Sequence, residues 1–178
     1  NISNTPHLYK KIATKQETDE LIHLLMQAAE ICFDTETTNL DANLAELVGM
    51  SFSLKAGEAF FVPCPSERRQ CLDLLEQFRP VFERAETRWI GQNIKYDLLV
   101  LKCYGYTLSG MLFDTMLAHY LIEPEGKRSM DALSAKYLGY EPIHIEELIG
   151  KKGKSQGNMR DVDADKLTDY AAEDADIT

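Results

Sequence analysis

The sequence lacks any apolar run approaching the ~20 residues that cross a bilayer, and it opens without the pattern of a secretory signal. The expectation is a cytoplasmic protein with no membrane partner. It also lacks a CxxC pair. Cys32, Cys64, Cys71 and Cys103 stand apart among apolar neighbours, which reads as four reduced, buried thiols. His7, His23, His119 and His144 have no partner at ligand spacing, so an imidazole-based metal site is not expected. Basic charge is scarce: 19 Lys and Arg face 29 Asp and Glu, for a net charge of −10. Gripping a long duplex takes many Lys and Arg contacts to phosphate, so that class is disfavoured. An acidic, cation-loaded site that holds a few nucleotides is not. No internal repeat and no long linker divides the chain, and 44% hydrophobic with 27% charged residues is an ordinary globular balance. One domain over 1–178 is expected, with 1–13 a less regular N-terminal segment. The first residue is Asn and the last stretch is helical in pattern, so a piece of a longer protein is expected.

What is present alternates between strand and helix signals. Thr14 and Glu17 have capping-box spacing, followed by a helical stripe of Leu21, Ile22, Leu24, Leu25 and Ala28. Strands are expected at 30–34, 47–54, 58–62, 88–91 and 111–113, the second and third joined by a hairpin around Gly57. Helices are expected at 66–84, 94–103, 115–122, 130–138 and 163–178. Asp114 is placed to cap the helix beginning at Thr115. Between the last two helices, 149–160 carries three Gly and the basic residues Lys151, Lys152, Lys154 and Arg160, the composition of an exposed loop. A hairpin-bearing run of strands that then alternates with helices implies an α/β fold with a mixed sheet.

Three acidic motifs carry the chemistry. In Phe33-Asp34-Thr35-Glu36-Thr37, side chains two apart on a strand share a face, so Asp34 and Glu36 point the same way. Such a pair is tolerated if one acid is protonated or a cation lies between them, and hard oxygen ligands favour Mg²⁺ or Mn²⁺ over zinc. In Gly91-Gln92-Asn93-Ile94-Lys95-Tyr96-Asp97, Asn93 can cap a helix that carries Asp97 one turn on. In Tyr170-Ala171-Ala172-Glu173-Asp174, Tyr170 and Asp174 share a helical face. Each alone has an ordinary structural explanation: an acidic strand exit, a capped helix with a solvated Asp, an amphipathic helix.

Together, D-x-E ending a strand, N-x-x-x-D opening a helix and Y-x-x-x-D in the last helix resemble the DEDD exonucleases. The words FDTET, VGMSFS, GQNIKYD, FDTMLAHYLI, MDAL and YAAEDADIT resemble most closely the 3′→5′ proofreading exonuclease domains of bacterial family A DNA polymerase I. The resemblance runs from about Ala28 to the end. Asp169 occupies the place that His holds in histidine-type members, while Tyr170 lies four before Asp174, so the chain resembles the tyrosine type.

The resemblance implies a ribonuclease H-like fold, a five-stranded mixed sheet with helices on both sides. It implies two divalent cations, Mg²⁺ with Mn²⁺ as a substitute: Asp34 shared by both, Glu36 and Asp174 completing the first site, Asp97 holding the second. Tyr170 would orient the attacking water, and the product would be a nucleoside 5′-monophosphate. Thr37, Leu40, Gln92, Asn93 and Tyr96 would position a single-stranded or frayed DNA 3′ end. Leu40 would wedge against the terminal base, its other reading being a plain core residue. Relatives often carry an aromatic where this chain has Ile143-His144-Ile145, so no stacking platform is expected there. The polymerase domain of the same parent chain is the implied partner. Two other functions share the pattern: an RNA-trimming or helicase-associated exonuclease of the same type, and a catalytically silent module of a polymerase.

Overall fold

In a computed structural model that describes residues 1–153 and 155–178, the alternating signals resolve into six strands and seven helices, with two short 3₁₀ turns. Lys154 of the basic loop lies outside the described residues. In chain order the elements are β1 (Leu8–Lys11), α1 (Lys15–Gln27), β2 (Glu30–Thr37), β3 (Leu47–Lys55), β4 (Glu58–Pro63), α2 (Arg68–Phe82), β5 (Arg88–Gly91), α3 (Lys95–Cys103), β6 (Met111–Asp114), α4 (Thr115–Ile122), α5 (Met130–Leu138), α6 (Ile145–Ile149) and α7 (Ala164–Ile177).

The strands form one mixed sheet in the order β1-β4-β3-β2-β5-β6. β2, β3 and β4 pair antiparallel, while β5 and β6 continue from β2 in parallel. The five expected strands are joined by a sixth, β1, which lies parallel to β4 at the edge. The segment 1–13 is therefore more regular than its sequence indicates. Four residues are too few to show a period, and β1 owes its form to the backbone of β4.

The elements end where their sequences direct. Thr14 Oγ1 accepts from Glu17 N at 3.2 Å, and Glu17 Oε2 accepts from Thr14 N at 3.0 Å, a reciprocal cap at the start of α1. Glu67 caps α2 through Arg69 N and Gln70 N. One face of the sheet is aromatic: Phe33, Phe52 and Trp89 meet Phe78 and Phe82 of α2, with ring centroids 5.3–6.4 Å apart. Leu21 and Leu25 of α1 and Val100 and Leu101 of α3 join the same core. Trp89 satisfies its indole N–H on Ser109 O at 2.8 Å.

The opposite face carries small residues. Across the ladder Gly49, Ser51, Ser53 and Ala59 share a side with Cys32, Asp34 and Glu36. α7 lies over them with Ala171, Ala172 and Ala175 buried. Gly49 is obligatory here, since a Cβ would sit 2.2 Å from the Phe61 ring. Phe61 and Val48 pack with Met159, Leu167 and Ala171 into a second, smaller core.

Two sequence expectations fail at the margins. Arg160 is not part of an exposed loop: the 3₁₀ turn Met159–Asp161 buries Met159, and the guanidinium donates to Leu47 O at 2.8 Å and Cys64 O at 3.3 Å. Of the four free cysteines, Cys64 and Cys71 are buried and Cys32 partly so, whereas Cys103 is exposed at the end of α3.

Candidate active site

Alternation along β2 sends Asp34 and Glu36 beneath α7 while Phe33 and Thr35 face the other way. Their cross-strand partners are Ser51 and Gly49, two of the smallest side chains, which leave room above the acids for α7 to deliver Asp174. One carboxylate oxygen from each of Asp34, Glu36 and Asp174 lies within 4.8 Å of the others. Glu36 is 6% exposed and Asp174 8%. None of the ion pairs among the described residues involves any of the three.

The electrostatics follow from this crowding. Burial, then the charges of Asp97, Glu36 and Asp174, hold the Asp34 carboxyl well above the usual carboxylate range. Glu36 is raised by burial and then by Asp174 and Asp97. Burial pushes Asp174 up to about 8, against the opposing effect of the Tyr170 hydroxyl. Like charges packed this closely require protons or a cation. An all-oxygen donor set without His or Cys fits a hard divalent ion.

Asp97 stands outside this trio. It reaches the end of β2 from α3, on the aromatic side, and its Oδ1 accepts from Thr35 N at 3.0 Å and Thr35 Oγ1 at 2.5 Å. Only 2% of it is exposed, and burial lifts its carboxyl to about 7 against those two hydrogen bonds. None of the sequence motifs singles out Thr35. The signal was available, because a residue between two acids on a strand must face the opposite side and meet whatever packs there. Tyr170, one helical turn before Asp174, has its phenol raised far above its ordinary value by burial and then by Asp174, Glu36 and Asp34.

The expected substrate residues divide into two groups. Thr37, Tyr96 and Leu40 gather where β2 ends. The Thr37 hydroxyl donates to the Tyr96 hydroxyl at 2.5 Å, and Tyr96 in turn donates to Asn39 O. Leu40 is 81% exposed, which removes its reading as a core residue. Gln92 and Asn93 are engaged differently. The Gln92 amide donates to Arg128 O at 2.7 Å and accepts from Thr115 Oγ1 at 2.6 Å, so both its ends hold neighbouring backbone and side chain. Asn93 does not cap α3 with its side chain. Ile94 is the capping position, and Asn93 adopts a left-handed φ of 56° with its N–H directed to Asp114 Oδ1 at 3.2 Å. Asp114 caps α4 as expected, accepting from Met116 N and Leu117 N.

Residues 9–178 match a family model described as 3′-5′ exonuclease. The chain belongs to the 3′-5′ exonuclease family. DNA polymerase I of Borreliella burgdorferi is 38% identical over 173 residues, covering 96% of this chain and 18% of that protein. DNA polymerase I of Pseudomonas aeruginosa is 36% identical over 179 residues, covering 96% of this chain and 20% of that protein. The exonuclease chain thus spans about a fifth of the length of these curated relatives. Its ribonuclease H-like fold is shared with the solved structure of Brucella melitensis NrnC with bound Mg²⁺, at a TM-score of 0.67 and 16% identity, over 96% of this chain and 75% of that one. Exonucleases of this family use divalent metals, and the Asp34, Glu36 and Asp174 cluster offers the oxygen donors that such ions take.

Proposed function

We propose that this chain is the proofreading exonuclease of a DNA polymerase, removing nucleoside 5′-monophosphates from single-stranded or frayed DNA 3′ ends. The observation that carries the reading is the uncompensated convergence of Asp34, Glu36 and Asp174, with Glu36 and Asp174 buried and Asp34 half-buried. In this reading those three would hold one Mg²⁺ or Mn²⁺, and Asp34 with Asp97 a second. When bound, such ions supply Lewis acidity to the scissile phosphodiester and to its attacking water.

The chain's own residues do the rest. Tyr170 stays a neutral hydrogen-bond donor at any ordinary pH, because its hydroxyl is raised further above the phenol range. It therefore orients water and does not deprotonate it. Leu40, standing clear of the surface beside Thr37 and Tyr96, contacts the terminal base through an apolar face that every base can meet. With a net charge of −10, the domain cannot melt a duplex by phosphate contacts alone, so a frayed end is the substrate. The partner is the polymerase domain of the same parent chain, in the cytoplasm.

End-labelled single-stranded DNA with Mg²⁺ is the direct assay. Release of 5′-mononucleotides from the 3′ end is expected, abolished by chelator and reduced at least ~10²-fold by Asp34→Asn. Equal rates on a matched blunt duplex would overturn the substrate assignment, and faster cleavage of RNA would replace DNA with RNA. A folded, metal-loaded chain with no cleavage would make it a silent module.

A further inference from the structure

Glu173 precedes Asp174 on α7 and is 0% exposed, yet it takes no part in the carboxylate trio. A carboxylate removed from water is costly unless hydrogen-bonded, and Glu173 is bonded at both oxygens. Tyr140 Oη donates to Oε1 at 2.5 Å and Ile143 N donates to Oε2 at 2.6 Å. Both donors lie in the irregular connector between α5 and α6, about thirty positions earlier in the chain. Three residues further along α7, Asp176 is held from another direction, by Tyr9 Oη and Gly57 N, each at 2.7 Å.

These contacts bear on the reaction through the geometry of a helix. Adjacent residues on α7 are about 100° apart around its axis. A grip on Glu173 therefore sets the rotation that aims Asp174 and Tyr170. A carboxylate carried about 6 Å from the axis moves about 1 Å when the helix turns about 10°, and a displacement of that size at a reacting centre can cost about 10²-fold. Around Asp174 the helix meets the sheet through the small side chains of Ala171, Ala172 and Ala175, and its larger apolar anchor, Leu167, lies two turns earlier, so the polar contacts add restraint where the acid is carried.

We propose that Glu173 is a positioning residue for the exonuclease reaction: by binding Tyr140 and Ile143 it fixes the rotation of α7 and so the aim of Asp174 and Tyr170. The proposal rests on the metal-dependent reading of the trio. It predicts that the connector 139–144, remote from that trio in sequence, controls metal affinity.

The test compares Glu173→Ala, Glu173→Gln and Tyr140→Phe. Glutamine can preserve both contacts, its Oε1 accepting from Ile143 N and its amide donating to Tyr140 Oη. Glu173→Ala is expected to weaken Mn²⁺ binding in calorimetry at least tenfold. It should lower kcat on single-stranded DNA at least tenfold with KM unchanged, while Glu173→Gln restores both. In metal-free protein, Glu173→Ala should speed hydrogen exchange of the amides at 170–175 at least tenfold, and this measure stands even if the trio binds no metal. A folded Glu173→Ala protein with wild-type exchange would overturn the proposal, as would Glu173→Gln failing as deeply as Glu173→Ala. Should Glu173→Ala not fold, Tyr140→Phe keeps Ile143 N in place. A roughly threefold loss of Mn²⁺ affinity is expected from it, and wild-type affinity together with wild-type exchange would overturn the proposal.

Discussion

Phe33 and Asp34 are neighbours in the chain and inhabit opposite environments. Phe33 lies among Phe52, Phe82 and Trp89, fully buried. Asp34 lies among Glu36, Asp97 and Asp174, where each charge raises the cost of the next. The first face gains stability from every atom that leaves water. The second gives stability up, since its acids are poorly hydrated and mutually repelling until a cation arrives. Such a site survives because the two faces share one sheet, so the aromatic side carries the structure that the acidic side strains.

The comparison breaks most sharply at Phe33→Ala, which opens a cavity in the aromatic face and is expected to cost ~3–5 kcal/mol in urea unfolding. A loss below ~1 kcal/mol would mean that stability is not concentrated on that side. Next is Tyr170→Phe, expected to slow cleavage by ~10²-fold or less, about 2.7 kcal/mol in the barrier, with stability and Mn²⁺ affinity unchanged. A loss as deep as that of Asp174→Ala would give the hydroxyl a role beyond orienting water. Gly49→Ala places a methyl against the Phe61 ring and is expected to cost ~1–3 kcal/mol, measured by thermal unfolding. Because Gly49 pairs with Glu36, it should also slow cleavage.

The last prediction concerns pH. Burial lifts the Asp97 carboxyl to about 7 in the fold, against an ordinary value of 3.8. The folded state therefore holds a proton that the unfolded state releases, and metal-free stability should fall as pH rises from about 4 to about 7. Asp97→Asn keeps an amide oxygen for both Thr35 donors but has no charge to desolvate. Urea unfolding at pH 4 and pH 8 should show its decline in stability shallower than that of the wild type, by up to about 4 kcal/mol if Asp97 alone takes up the proton. Parallel declines would mean that Asp34, Glu36 and Asp174 carry the whole effect.

Much of the site was legible because it is built from local periods. The two-residue alternation of β2 places Asp34 beside Glu36, and the one-turn spacing of α7 places Tyr170 beside Asp174, whatever the rest of the chain does. What escaped depends on partners distant in sequence. β1 is a strand only because β4 offers it an edge. Asn93 looked like a helix cap, yet Asp114 captures its N–H instead. Glu173 and Asp176 stand near the C-terminal end of α7, where acids left to themselves oppose the helix dipole. Four donors from Tyr9, Gly57, Tyr140 and Ile143 hold them instead. No period along the chain announces a hydrogen bond between residues 9 and 176.

The single register of β2 has a consequence for how this strand can vary through descent. Phe33 and Thr35 serve one side of the sheet while Asp34 and Glu36 serve the other, so every position is read by its parity. Loss of one residue before Glu36 would turn the aromatic ring toward α7 and drive a carboxylate into the core. The ladder irregularity between Glu36 and Thr37 marks where that constraint ends, immediately after the last acid. Upstream of it the strand can be respelled by substitution but not shortened or lengthened, and insertions among related chains belong in the loop that follows.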